Sequence, residues 1–141
     1  MPVHERAAGT KEDTSMAILR YTKIISTEDG ASAFVDDELH LASQQVAEST
    51  PPMFVGNLAS AGAMFLRSSA FDSGFHPAPR SQWVVVLRGS LEISVSNGST
   101  RRFTAGDLFL IEDTSGQGHA TTGVGEGLFL PVDSASGEGS R

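Results

Sequence analysis

The chain of 141 residues contains no cysteine. That excludes a disulfide framework, a thiol nucleophile and thiolate metal ligands, and it fits a reducing compartment. Basic residues are scarce, with 10 Lys and Arg against 17 Asp and Glu, a net charge of −7. Arg67, Arg80, Arg88 and Arg101 are scattered and form no basic stripe, so nucleic acid is not an expected partner. No apolar run approaches the length of a membrane span, and the first fifteen residues lack the apolar stretch of a secretory signal. The expectation is a soluble, cytoplasmic protein with no membrane partner. There is no internal repeat, no useful amphipathic helix, no Gly-x-Ser-x-Gly elbow and no glycine-rich loop leading into a helix.

What is present is a succession of short β patterns. Residues 82–88 (Gln-Trp-Val-Val-Val-Leu-Arg) are β-formers, apolar on both faces, and end at Gly89-Ser90, read as a turn. Leu91, Ile93 and Val95 then alternate with Glu92, Ser94 and Ser96, as in a strand with one wet face. Asn97-Gly98 is a hairpin signal, because both residue types tolerate positive φ. Arg101–Thr104 forms the return strand, Ala105-Gly106-Asp107 turns, and Leu108–Ile111 is a further strand. Upstream, strands are expected over Ile18–Ile25, over Ala33–Val35 and Glu38–Leu41 (split by Asp36-Asp37), over Met53–Leu58 and over Gly62–Arg67. Ser68–Pro79 reads as a long loop. Downstream, Ala120–Thr122 and Leu128–Val132 are strands separated by a turn at Gly123–Gly127. The pattern predicts an all-β fold, with a disordered tail over 1–15, one domain over 16–132 and a flexible tail over 133–141.

The stretch from His76 to His119 resembles the cupin superfamily of small jelly-roll β-barrels, of the RmlC-like single-domain kind. Gln82 and Gly89, with six residues between them, match the end of the family's first motif, and His76 falls at its first histidine. The second histidine position is then Ala78, and the glutamate position is Gln82. Gly106 opens the second motif. Glu112 and Thr114 replace its proline and glycine, and His119 stands two residues late for its histidine. The resemblance spans about residues 62–132 and implies a cupin-like jelly-roll β-barrel, a small-molecule ligand and a homodimer.

His76 and His119 are the first candidates for chemistry. Imidazole is an acid or base near neutrality and a ligand for Zn, Fe, Ni, Cu or Mn, with Glu112 or Asp113 as a supporting carboxylate. On the cupin register Gln82 points inward, where its amide can orient a polar ligand. Arg67 and Arg80 are candidates to stabilise an enolate or bind a carboxylate, Arg67 because Phe65 and Ala63 share its face and read as buried. Trp83 lies on the face opposite Gln82 and reads as core or dimer interface. The combined expectation is a barrel performing metal-independent or weakly metal-dependent proton transfer (isomerisation, cyclisation or similar) with His119, His76 and Arg67 catalytic and Gln82, Arg80, Glu112 and Asp113 binding ligand. The alternatives are a non-catalytic small-molecule binding or sensing barrel, and a metal-dependent cupin oxygenase or isomerase using His76 and His119.

Overall fold

The computed structural model describes residues 16–132, and for residues 69–71 the backbone alone. The two tails expected at 1–15 and 133–141 lie outside the described residues. Eight strands follow one another: β1 (Met16–Ser26), β2 (Ser32–Gln44), β3 (Met53–Val55), β4 (Met64–Asp72), β5 (Gln82–Val95), β6 (Thr100–Thr104), β7 (Leu108–Ile111) and β8 (His119–Pro131). The fold is all-β. The described residues contain no helix, hence none long and apolar enough to cross a membrane.

The residues fall into two units, one comprising 16–19 and 38–57, the other 20–37 and 58–132. In the smaller unit, Ala42–Gln44 pairs antiparallel with Met53–Val55. Gln45 closes the intervening loop by donating to the carbonyls of Glu48 and Thr50.

The larger unit is built on the ribbon of β5 and β8, paired antiparallel from Gln82↔Pro131 to Val95↔His119. Along the other edge of β5, β7 pairs with its first half and β6 with its second. β1 adds parallel to β7, and β4 adds antiparallel to β8. This is the mixed, mostly antiparallel sheet of a jelly roll. It differs from the expected barrel in being open, since beyond β8 no described strand of this unit pairs with β4.

Two expected turns are absent. Gly89-Ser90 lies inside β5, and Gly123–Gly127 lies inside β8. The register between them shifts at Val86/Arg88, a β-bulge that leaves Leu87 unpaired and bends the ribbon. Glycine is required there for contact as much as for conformation. Gly89 has φ +75°, and a Cβ on it would run into the Val124 carbonyl. Likewise Asp36-Asp37 does not break β2. Asp36 receives Arg101 at 2.7 Å and Asp37 receives Lys23 at 3.2 Å, so both carboxylates are partnered within the strand. At the hairpin after β5 only Gly98 takes positive φ, 101°, and Asn97 does not.

The bend folds the inner face on itself. Ile24, Val84, Val86, Ile93, Val95, Phe103, Phe109 and Ile111 pack there as one buried cluster, with the Phe103 and Phe109 rings 4.4 Å apart. Each such side chain contributes about 1.5–3 kcal/mol relative to exposure. On the outer face, Phe65, Leu128, Val85 and Leu108 stand opposite one another across β4, β8, β5 and β7. Next to them Trp83 meets Tyr21 edge to face, centroids 4.8 Å apart.

Candidate active site

The inner face borders a half-open cavity of about 240 Å³. Its walls are mainly apolar, from Leu66, Leu91, Ile93, Phe109, Ile111 and Phe129, and its polar side chains include His76, Gln82 and His119. At that volume it lies just below the ~300–1,000 Å³ typical of drug-sized ligands.

The polar end is assembled from three segments. Gln82 is the first residue of β5, and its inward register places it beside Ile111. His119 is the first residue of β8. His76 belongs to the loop after β4, and a reciprocal pair of backbone bonds joins it to His119, each N–H donating to the other's carbonyl at 3.1 Å. The two rings come within 5.7 Å, centroid to centroid. Gly118 permits this approach. It has φ +74°, and a Cβ would collide with the His76 carbonyl. Ser73 reinforces the loop, its N–H donating to the Thr121 carbonyl and its Oγ accepting from the Thr121 N–H.

Beneath His119 lies Asp113. Its Oδ2 is 2.6 Å from Nδ1 of His119, and the two side chains are 0% and 7% exposed. The peptide of Asp113 also holds the other histidine's loop, its carbonyl accepting from the Ala78 N–H at 2.9 Å. Oδ1 of Asp113 has no hydrogen-bond partner among the described residues. The carboxylate is therefore directed at one imidazole, and fixes its tautomer and orientation.

A second support is Ser32, fully buried at the start of β2. Its Oγ donates to the Gly118 carbonyl at 2.6 Å and accepts from the Ser96 N–H at 2.8 Å, while its own N–H donates to Ser96 Oγ. This knot fixes the loop that delivers His119.

His76, Gln82 and His119 thus border one cavity, and Asp113 contacts it through His119. The other sequence candidates lie elsewhere. Arg67 is 81% exposed and donates to Glu126 at 2.7 Å, with Arg88 on the same carboxylate at 3.7 Å. The expectation from Phe65 is corrected: Phe65 is itself 76% exposed, and Leu66 and Ser68 form the cavity side of β4. Glu112 lies 3.9 Å from Lys23, outside the cavity lining, and Arg80 is exposed and also outside it.

The metal set implied by the cupin resemblance would occupy positions 76, 78, 82 and 119. Position 78 is alanine, buried and without a donor, and position 82 is a neutral amide. Among the described residues no three His, Cys, Asp or Glu side chains come together as a metal-binding group. This donor set does not fit that metal.

A curled jelly-roll sheet holding a small cavity with a polar end is an architecture suited to small-molecule ligands. No protein-family model matches the chain, and no curated protein matches it significantly. Among solved structures it is similar to an RmlC-like cupin from Shewanella frigidimarina NCIMB 400, at 16% identity and a TM-score of 0.41, over 82% of this chain and 87% of that one. It is also similar to a putative ethanolamine utilization protein Q from Salmonella typhimurium LT2, at 19% identity and a TM-score of 0.38, over 83% of this chain and 99% of that one.

Proposed function

We propose that the chain is a cupin-like enzyme that binds a small organic molecule in the cavity and transfers a proton on it. The observation that carries this reading is the buried Asp113–His119 pair, 2.6 Å from Oδ2 to Nδ1, at the edge of a mainly apolar pocket. Nδ1 is committed to Asp113, so Nε2 remains to act as base. It takes a proton from a carbon beside a carbonyl. The bond's electron pair moves toward the carbonyl oxygen, where the Gln82 amide donates a hydrogen bond. The imidazolium so formed is balanced by Asp113, and it returns the proton to the same or a neighbouring atom. Asp113 is a positioning residue in this scheme.

The test is deuterium incorporation into small ketones and aldehydes in D2O, followed by proton NMR. Wild-type protein is expected to catalyse exchange, and His119→Gln to lose about 10²–10⁴-fold of it. Equal exchange by both proteins overturns the reading. Carbonyl compounds that bind in the cavity without exchange would favour the alternative, a binding or sensing module.

We propose further that the chain pairs with a second copy through the outer face of the sheet. The apolar row of Phe65, Leu128, Val85 and Leu108 runs between two oppositely charged corners. Lys23 with Asp37 and Glu112 carries one positive charge against two negative, and Glu126 with Arg67 and Arg88 carries the reverse. A two-fold axis sets the basic corner of one copy on the acidic corner of the other. Phe65→Asp is expected to convert a dimer to a monomer in sedimentation velocity. A wild-type monomer at high concentration, or a variant that remains dimeric, overturns this.

A further inference from the structure

The hydrogen-bond partners of the two histidines define what the cavity can recognise. Nδ1 of His119 faces the Asp113 carboxylate, which accepts. Nδ1 of His76 lies 3.1 Å from the Gly74 carbonyl oxygen, which can only accept. In its neutral form each ring therefore carries its proton on Nδ1 and leaves Nε2 as an acceptor. Both histidines line the cavity, with ring centroids 5.7 Å apart.

The charges around them agree. No lysine or arginine is among the residues lining the cavity. Arg67 and Arg88, the cations nearest in register, are exposed and neutralised by Glu126, the one acidic residue in the cavity wall. Behind His119 stands a buried carboxylate, and the whole chain carries −7. An anionic head would enter with no cation to receive it, facing two lone pairs and the negative Asp113. A hydrogen-bond donor would satisfy these nitrogens in a resting complex, and during the proposed proton transfer it stays on His76 while Nε2 of His119 faces the C–H bond.

We infer that the ligand of this cavity is a compact molecule with an apolar body that carries, besides the carbonyl that Gln82 receives, a hydrogen-bond-donating head, a hydroxyl or an ammonium group, and that carboxylates and phosphates are rejected. The inference rests on the reading of this cavity as the ligand site, and it names the class of ligand. It also reverses the sequence-based expectation that Arg67 and Arg80 receive a carboxylate.

The experiment uses three probes on one skeleton: benzyl alcohol, benzylamine and benzoate. Each is titrated into the full-length, 15N-labelled protein, and the ring nitrogens of His76 and His119 are followed. Benzyl alcohol and benzylamine are expected to bind at least tenfold more tightly than benzoate, to compete with each other, and to move both Nε2 resonances. Their relative affinity separates hydroxyl from ammonium as the preferred head. Benzoate binding as tightly as either, with the same resonances moving, overturns the inference. So does the failure of all three probes to move either histidine. Proton exchange in D2O is read separately. Exchange retained alongside benzoate preference leaves the proposed reaction standing and removes the ligand class. Donor preference without exchange does the opposite.

Discussion

Asp113 and His119 are six residues apart and face each other across the tight loop between them, joined by a 2.6 Å hydrogen bond that solvent barely reaches. The chain spends a buried carboxylate on a single imidazole. Replacing it by an amide tests what the charge does. Asp113→Asn leaves the shape but offers either an N–H or a carbonyl to Nδ1, so His119 is no longer held in one tautomer. The expected result is a mixed tautomer signal for His119 in long-range 15N–1H spectra, with His76 unchanged. Stability falls by about 1–3 kcal/mol, the cost of a buried group left poorly partnered.

Ser32 holds the loop from the other side. Removing its hydroxyl orphans the Gly118 carbonyl and the Ser96 N–H together. Ser32→Ala is expected to cost about 1–3 kcal/mol in urea unfolding. It also broadens the His119 ring signals, because the residue before His119 loses its anchor. Unchanged His119 signals would make Ser32 a support of the hairpin ends only.

Two glycines with positive φ give a matched pair. Gly98 sits at a hairpin tip with nothing within 4 Å of an added Cβ, whereas a Cβ on Gly118 meets the His76 carbonyl. Gly98→Ala is expected to lose only the conformational cost, about 1–3 kcal/mol. Gly118→Ala loses that and also separates His76 from His119. Equal losses in denaturant titration would show that the loop yields easily.

Arg101 ties β6 to β1 and β2. Its Nη1 donates to Thr22 Oγ1 at 3.0 Å and to Asp36 Oδ1 at 2.7 Å, and its guanidinium lies over the Phe34 ring. The hydrogen bond and charge of Arg101 hold the Asp36 carboxyl below the usual carboxylate range. The stabilisation this pair supplies is therefore present above the ordinary aspartate value and is lost as pH falls through the depressed one. Arg101→Ala should lower the urea midpoint at neutral pH. The gap to wild type should narrow in acid, leaving the part due to Phe34 and Thr22. A gap constant with pH would assign the whole effect to packing.

The strands around the site were largely legible in the sequence, because Leu91, Ile93 and Val95 alternate and residues 82–88 favour extended backbone. Gly89 and Gly123–Gly127 misled for a physical reason. A glycine of positive φ marks either a turn or a bulge, and the choice depends on a partner strand distant in sequence. His76, Gln82 and His119 were legible from motif spacing. Asp113 was legible as a carboxylate near His119, but its contact with the ring depends on how the 114–118 loop closes. Alternation splits β4 into two faces without saying which is covered, so the face of Phe65 and Arg67 reads as buried although Leu66 and Ser68 line the cavity. Ser32 carried no signal, since the Gly118 carbonyl it holds is 86 residues away.

The bulge at Leu87 also acts as a parity switch. Before it, even-numbered residues of β5 face inward: Gln82, Val84 and Val86. After it, odd-numbered ones do: Leu91, Ile93 and Val95. On β8 the odd-numbered residues face inward throughout, from His119 to Phe129. One extra residue thus reconciles two halves of a strand written in opposite phase. If it were removed while the β6 end stayed in register, Gln82 would turn out of the cavity and Trp83 would turn in. The polar end and the apolar wall belong to the same site because the chain miscounts once.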